Sequence, residues 1–161
     1  MFLRLLDKLV RKKIVLDRGP SHPEFHKAKP WMERYYLLFR RRPKWFPFNI
    51  LIHKMLDDDH GEGVHNHLCP YITIILKGGY WETTPKGKFW RAPLSYRYAP
   101  ANTFHRVELD KNIPYCWTIF IPSKSTQEWG FKTVNGWMQH EKYFKMKKVE
   151  KNLGKKIDKT E

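Results

Sequence analysis

Residues 57–82 read DDDHGEGVHNHLCPYITIILKGGYWE: three consecutive acids and three histidines lead into an apolar run that two glycines close. The run YITIIL is β-branched, short and bounded by Pro70 and by Gly78 and Gly79, which predicts a strand over 70–77 rather than a helix. His65 and His67 are one residue apart, so on an extended chain both imidazoles leave the same face, about 7 Å apart along it. Two neutral nitrogen donors on one face are half of a metal site. The stretch is therefore either a metal site on a β-scaffold or a polar loop leading into a core strand.

Working outward, strand-like segments rich in β-branched and aromatic residues recur at 34–39, 48–56, 79–83, 88–92, 95–99, 104–109 and 115–121. Pro43, Pro47, Pro85, Gly87, Pro93, Pro100, Pro114 and Pro122 fall between them as turn punctuation. Many short strands with few helices between them predict an all-β sandwich or barrel of the jelly-roll type. The flanks differ. Phe2, Leu5, Leu6, Leu9, Val10 and Ile14 sit near helical spacing among basic residues, predicting a basic amphipathic N-terminal helix over 1–18. Residues 19–45 form a connecting segment and first strand, 46–137 the barrel, and 138–161 a Lys-rich helix or tail.

The third ligand a metal needs is supplied by His105 in YAPANTFHRVEL, on the strand predicted after the turn at Pro100 and Asn102. Three histidines leave open positions on Zn²⁺, Fe²⁺, Mn²⁺ or Ni²⁺, the property that separates a catalytic site from a closed structural one. His53, sharing a strand face with Leu51 and Met55, is a fourth-ligand candidate whose alternative role is a hydrogen-bonded core residue. Asp58 and Asp59 are placed to orient a ligand imidazole through its second nitrogen. The letters HNH at 65–67 do not make the nuclease of that name, which needs a following helix.

Two segments carry a family resemblance. HNHLCPYITIILKGG resembles the first cupin motif, a His-x-His followed by a Glu and then a Gly, and APANTFHRVEL resembles the second, in which a Pro-bearing turn precedes a His. Over about 60–125 the resemblance implies a small jelly-roll barrel with His65, His67 and His105 as metal ligands. The motif's Glu is Ile72 here, which leaves a three-His set. Such a set resembles that of thiol dioxygenases, and HRVE at 105–108 with YCWTIFIPS at 115–123 is similar to the corresponding end of cysteine dioxygenases, implying Fe(II) and O₂. Those enzymes carry a His and a Tyr where this chain has Thr118 and Phe120, so cysteine is not the implied substrate. The whole chain looks closer still to cysteine-dioxygenase-like cupin proteins commonly encoded by bacteriophages.

Around such a site Glu62, Glu82 and Glu108 are candidate proton-transfer groups; strand periodicity alone does not say whether Glu82 and Glu108 face the interior. Arg91, Arg97 and Arg106 are candidate anion clamps because a guanidinium holds a carboxylate at two points; Arg97 ranks first, with Tyr98 as a pocket residue. The mixture FRRRPKWFPF has the charge and rings that single-stranded nucleic acid uses. Sugar isomerisation, a further use of a cupin barrel, finds no distinguishing residue.

With 161 residues, 41% of them hydrophobic, the chain can bury one core. Charged Arg4, Asp7 and Lys8 interrupt any signal-peptide core, and no run approaches the roughly 20 apolar residues of a spanning helix. Cys69 and Cys116 form neither a metal-spaced pair nor a disulfide framework, so a reducing cytoplasm, the host's if the chain is phage-encoded, is expected. The net charge of +15 is uneven: residues 1–18 carry six Lys/Arg against two acids and 142–161 carry eight against three. A small-molecule ligand is the expected partner of the barrel. The alternative is a non-catalytic binding protein whose basic termini engage nucleic acid, an acidic protein or a membrane, the last least favoured. A homodimer is compatible with either.

Overall fold

The structure is a computed structural model that describes residues 11–17, 25–59 and 63–157. Eleven strands and one helix follow in order: β1 (Arg11–Leu16), a 3-10 turn at Phe25–Lys27, β2 (Pro30–Tyr36), β3 (Leu51–Met55), β4 (Tyr71–Lys77), β5 (Tyr80–Thr84), β6 (Gly87–Arg91), β7 (Tyr96–Ala99), β8 (Arg106–Glu108), β9 (Cys116–Pro122), β10 (Gly130–Thr133), β11 (Gly136–Gln139) and α1 (His140–Ile157). All eight segments predicted as strands are strands, displaced by a few residues at their ends.

An antiparallel six-stranded sheet runs β1-β2-β3-β9-β4-β7, and a three-stranded sheet runs β6-β5-β8. Met32, Met55, Ile75 and Cys116 from the first sheet meet Tyr80 and Val107 from the second in one buried cluster, so the core lies between the sheets. β4 shows how sequence sets this. Tyr71, Thr73 and Ile75 point inward while Ile72 and Leu76 point out, the period of two that a half-buried strand requires. β3 and β9 lie inside the larger sheet, and residues on both of their faces are buried.

The hairpins β5–β6 and β10–β11 turn in the same way. In each, a Thr hydroxyl donates to the carbonyl of the Gly three residues on and accepts the N–H two residues on: Thr84 with Gly87 and Lys86, Thr133 with Gly136 and Asn135. These turns fix the register that follows them.

The N-terminus corrects the sequence reading. Residues 11–16 of the expected helix form β1, paired antiparallel with β2 from Arg11↔Tyr36 to Val15↔Met32. β1 is an edge strand whose side chains stay mostly exposed, so no alternating burial marks it and the helical spacing of its apolar neighbours dominates the pattern. Residues 1–10 and 18 of that expected helix lie outside the described residues. At the other end β10 and β11 precede the helix, which begins at His140. Among the described residues no helix is long and apolar enough to cross a membrane.

Candidate metal centre

His65 is held from two sides. It forms a β-bridge to His105, with N–H to carbonyl distances of 2.8 and 2.9 Å, and a second bridge to Phe131. The N–H of His67 reaches the carbonyl of Ala101 at 3.2 Å, and the amide of Gln127 donates to both of those residues' carbonyls. Between the two histidines Asn66 takes the opposite direction, accepting the Gly130 N–H at 2.7 Å. Extended backbone thus sends His65 and His67 to one face, as their spacing predicts, and the bridge brings His105 to meet them.

The three rings form a near-equilateral set, with centroids 5.2, 5.1 and 4.9 Å apart. One ligand nitrogen from each lies within 4.8 Å of the others, and the Nε2 atoms of His67 and His105 are 2.6 Å apart. Nδ1 of His65 is buried without a hydrogen-bond partner. Burial pushes the His65 and His105 pKa values down to about 4, more than Asp59 raises them, and holds His67 well below the usual histidine value. All three are neutral near pH 7, the state in which imidazole offers a lone pair to a metal.

Glu82 has no exposed surface, and a carboxylate that deep must be paired. Its Oε1 accepts from Nδ1 of His105 at 2.7 Å and from Arg97; its Oε2 accepts from Nε and Nη2 of Arg91 at 2.8 and 2.7 Å. Because a carboxylate only accepts, the His105 proton sits on Nδ1, which leaves Nε2 as the lone-pair nitrogen facing His67 and the cluster. Sequence periodicity left this residue's direction open. The signal was available in the hairpin: counting from Thr84↔Gly87 puts Arg91 opposite Tyr80, on the inward face with Glu82.

The other expected residues fall as follows. Asp59 accepts the Val107 N–H at 2.7 Å and holds its Oδ2 3.9 Å from Nε2 of His65, whereas Asp58 accepts from Leu109 and so ties down β8. His53 stands outside the group of three; its Nε2 accepts from Arg34 at 3.0 Å and its ring stacks on Phe120. Glu108 follows inward Val107, faces the other way and pairs with Lys88 at 2.7 Å. Arg97 is inward and bound to Glu82, Arg106 reaches toward Glu108, and Tyr98 is 61% exposed on the outer side of β7. Glu62 lies outside the described residues.

Several neighbours were not foreseen. The Tyr71 hydroxyl is 3.3 Å from Nε2 of His105, and burial pushes its pKa up to about 12, so it keeps its proton. Phe120 packs on His67 and Tyr71, Phe131 and Trp129 on His65, and His140 stacks on Trp129 at 4.3 Å. Ile72, at the motif's Glu position, is 37% exposed and faces outward. Tyr71, one residue earlier, holds the inward place beside the cluster.

No family model matches the chain, and no curated protein does. Solved structures do. The fold is similar to that of a cupin 2 conserved barrel domain protein from Rhodopseudomonas palustris (11% identity, 80% of this chain and 81% of that one, TM-score 0.56) and of a cupin-2 domain from Rhodospirillum rubrum (12%, 79% and 78%, 0.55). The chain has a cupin fold. A third structure of similar fold is FeII HppE (9%, 71% and 57%, 0.51). In this cupin-fold chain the histidines of the His-x-His segment and of the segment between Pro100 and β8 converge, while the carboxylate bound to His105 comes from β5 rather than from the position of Ile72.

Proposed function

We propose that this chain binds one divalent metal ion through His65, His67 and His105, with Fe(II) favoured over Zn, Mn and Ni, and that the loaded centre is a dioxygenase-like enzyme acting on a small molecule. The observation that carries the reading is the convergence of three neutral ring nitrogens, two of them 2.6 Å apart. Without an ion that approach requires an N–H···N hydrogen bond, in which His67 donates to the lone pair Glu82 leaves on His105; a cation held by the three rings would take the place of that proton. An ion held by three imidazoles keeps open coordination positions and supplies Lewis-acid or, as iron, redox chemistry there. The iron preference rests on the sequence resemblance to thiol dioxygenases and accords with FeII HppE among structures of like fold. The free Cys69 and Cys116 accord with a reducing compartment, which preserves Fe(II).

The protein's own contributions follow from placement. Glu82 fixes the tautomer and orientation of His105. Tyr71 presents a protonated hydroxyl beside the cluster and is a hydrogen-bond donor for a bound molecule. Phe131 and Trp129 pack against the His65 ring and Phe120 against that of His67, which holds both imidazoles in place. Thr118 and Phe120 supply neither imidazole nor phenol on β9, so the substrate differs from cysteine.

Metal analysis of protein purified without chelator tests the site. The wild type is expected to carry about one ion per chain and the His65→Ala/His105→Ala variant almost none. Equal, substoichiometric metal in both would refute it.

A further inference from the structure

The segment between β2 and β3 has no part in the metal centre, yet it is among the most charge-biased of the chain. Together with the adjoining ends of those strands, residues 34–56 hold six Lys/Arg and no acid. Three of those cations already have partners: Arg34 donates to His53, Arg42 donates to the carbonyl of Pro47, and Lys54 lies over the rings of Tyr115 and Trp117. Arg40, Arg41 and Lys44 pair with no acid among the described residues, and neither does Arg11 on β1. Arg11, Arg40 and Arg41 line, with Tyr36, Leu37, Leu38 and Phe39, a groove of about 620 Å³.

In the same β2–β3 loop Trp45 is 75% exposed, so its indole adds little to the core. The loop that carries it is nevertheless ordered by its own packing. Phe46 meets the rings of Phe39, Trp45 and Phe48 edge-on at 5.0, 5.4 and 5.1 Å, and the Asn49 side chain bonds both the carbonyl and the N–H of Phe39. An exposed ring on a braced loop reduces the ordering cost of anything that stacks on it.

We infer that the β2–β3 loop and its groove bind single-stranded nucleic acid, with the Arg11, Arg40 and Arg41 guanidiniums on successive phosphates and Trp45 stacked on a base. Charge complementarity selects a polyanion. Three guanidiniums set around a concave groove track a phosphate backbone, whereas a bilayer surface is met by a protruding apolar face. Base stacking requires a base face that a duplex hides, and contacts of this kind tolerate any sequence.

The test is fluorescence anisotropy of full-length protein with a labelled oligothymidylate of about 15 nucleotides, titrated at several salt concentrations. Trp45→Ala is expected to weaken binding about ten-fold or more with the salt dependence unchanged, since stacking releases no counterions. Arg40→Ala/Arg41→Ala is expected to lower the slope of log K against log salt by about 1.4, at about 0.7 per phosphate contact. Lys145→Ala/Lys148→Ala, which removes the same charge from the exposed face of α1, is expected to lower it by less. Circular dichroism confirms folding of each, and the exposure of all these side chains makes unfolding no confounder. Wild-type affinity in both loop variants, or an equal loss in the α1 control, would overturn the inference. So would Trp45-dependent binding to phosphatidylserine vesicles alongside oligonucleotide binding that ignores Trp45.

Discussion

A carboxylate with no exposed surface, set between two guanidiniums and an imidazole, has no water to replace a lost partner, and this makes Glu82 the residue on which site and stability meet. Replacing it with Gln keeps the shape but removes the charge that Arg91 and Arg97 require and turns an amide N–H₂ toward a donor. Glu82→Gln is expected to cost about 3 kcal/mol or more in urea unfolding, as for a buried pair broken on one side. It is also expected to weaken metal binding about 10- to 100-fold in competition with a chelator, through the freed His105 ring. Unchanged values for both would remove Glu82 from this role. Tyr71→Phe separates hydroxyl from ring: metal content is expected to hold and stability to fall by about 1–3 kcal/mol, because the 3.3 Å contact with His105 and the hydrogen bond with Arg97 are lost. A substantial loss of bound metal in Tyr71→Phe would make the hydroxyl part of the binding site itself.

At the scale of elements, the turn Gly78-Gly79 joins β4, which carries Tyr71, to β5, which carries Glu82. Gly78 has φ +91°, and a Cβ there would stand 2.6 Å from the carbonyl oxygen of Tyr115. Backbone cannot give way as a flexible side chain can, so Gly78→Ala is expected to destabilise by more than the roughly 1 kcal/mol of left-handed strain alone. Thermal unfolding beside Gly136→Ala, where φ is +98° but the space is open, separates clash from strain; equal losses would show that the clash is absent. The turn was legible because two glycines end an apolar run. His65 and His67 were legible for the same kind of reason, a one-residue spacing that only extended chain converts into a shared face, and His105 from its place after the turn at Pro100. The β10–β11 hairpin carried a signal too, Asn135-Gly136 between Phe131 and Trp137, but Lys-rich sequence beyond it hid its strand character. β1 gave no signal at all, since an exposed edge strand buries too little to impose a period. Glu82 required the β5–β6 register counted from its turn, which the alternation of β5 alone does not give.

Across the whole molecule, the histidines link the site to acid stability. His65 and His105 have pKa values of about 4 in the folded protein against 6.5 when exposed, and burial also lowers His53 and His67. Between those values the unfolded chain binds protons that the folded chain refuses, so stability is full above about pH 6.5 and falls as pH drops toward about 4. Each such histidine contributes about 1.4 kcal/mol per pH unit within that window. The net charge of +15 adds self-repulsion in the same direction as carboxylates protonate. A metal ion bound to the native site alone opposes this, by about 2.7 kcal/mol at a concentration 100 times its dissociation constant. Chelator-stripped protein is therefore expected to unfold at a higher pH than metal-loaded protein, and His65→Ala/His105→Ala is expected to abolish that difference and flatten the profile. Urea unfolding at intervals from pH 7.5 to about 4 measures both effects. A flat profile for the stripped wild type would mean that the folded protein accepts protons at these rings, which is incompatible with three neutral imidazoles gathered for a metal.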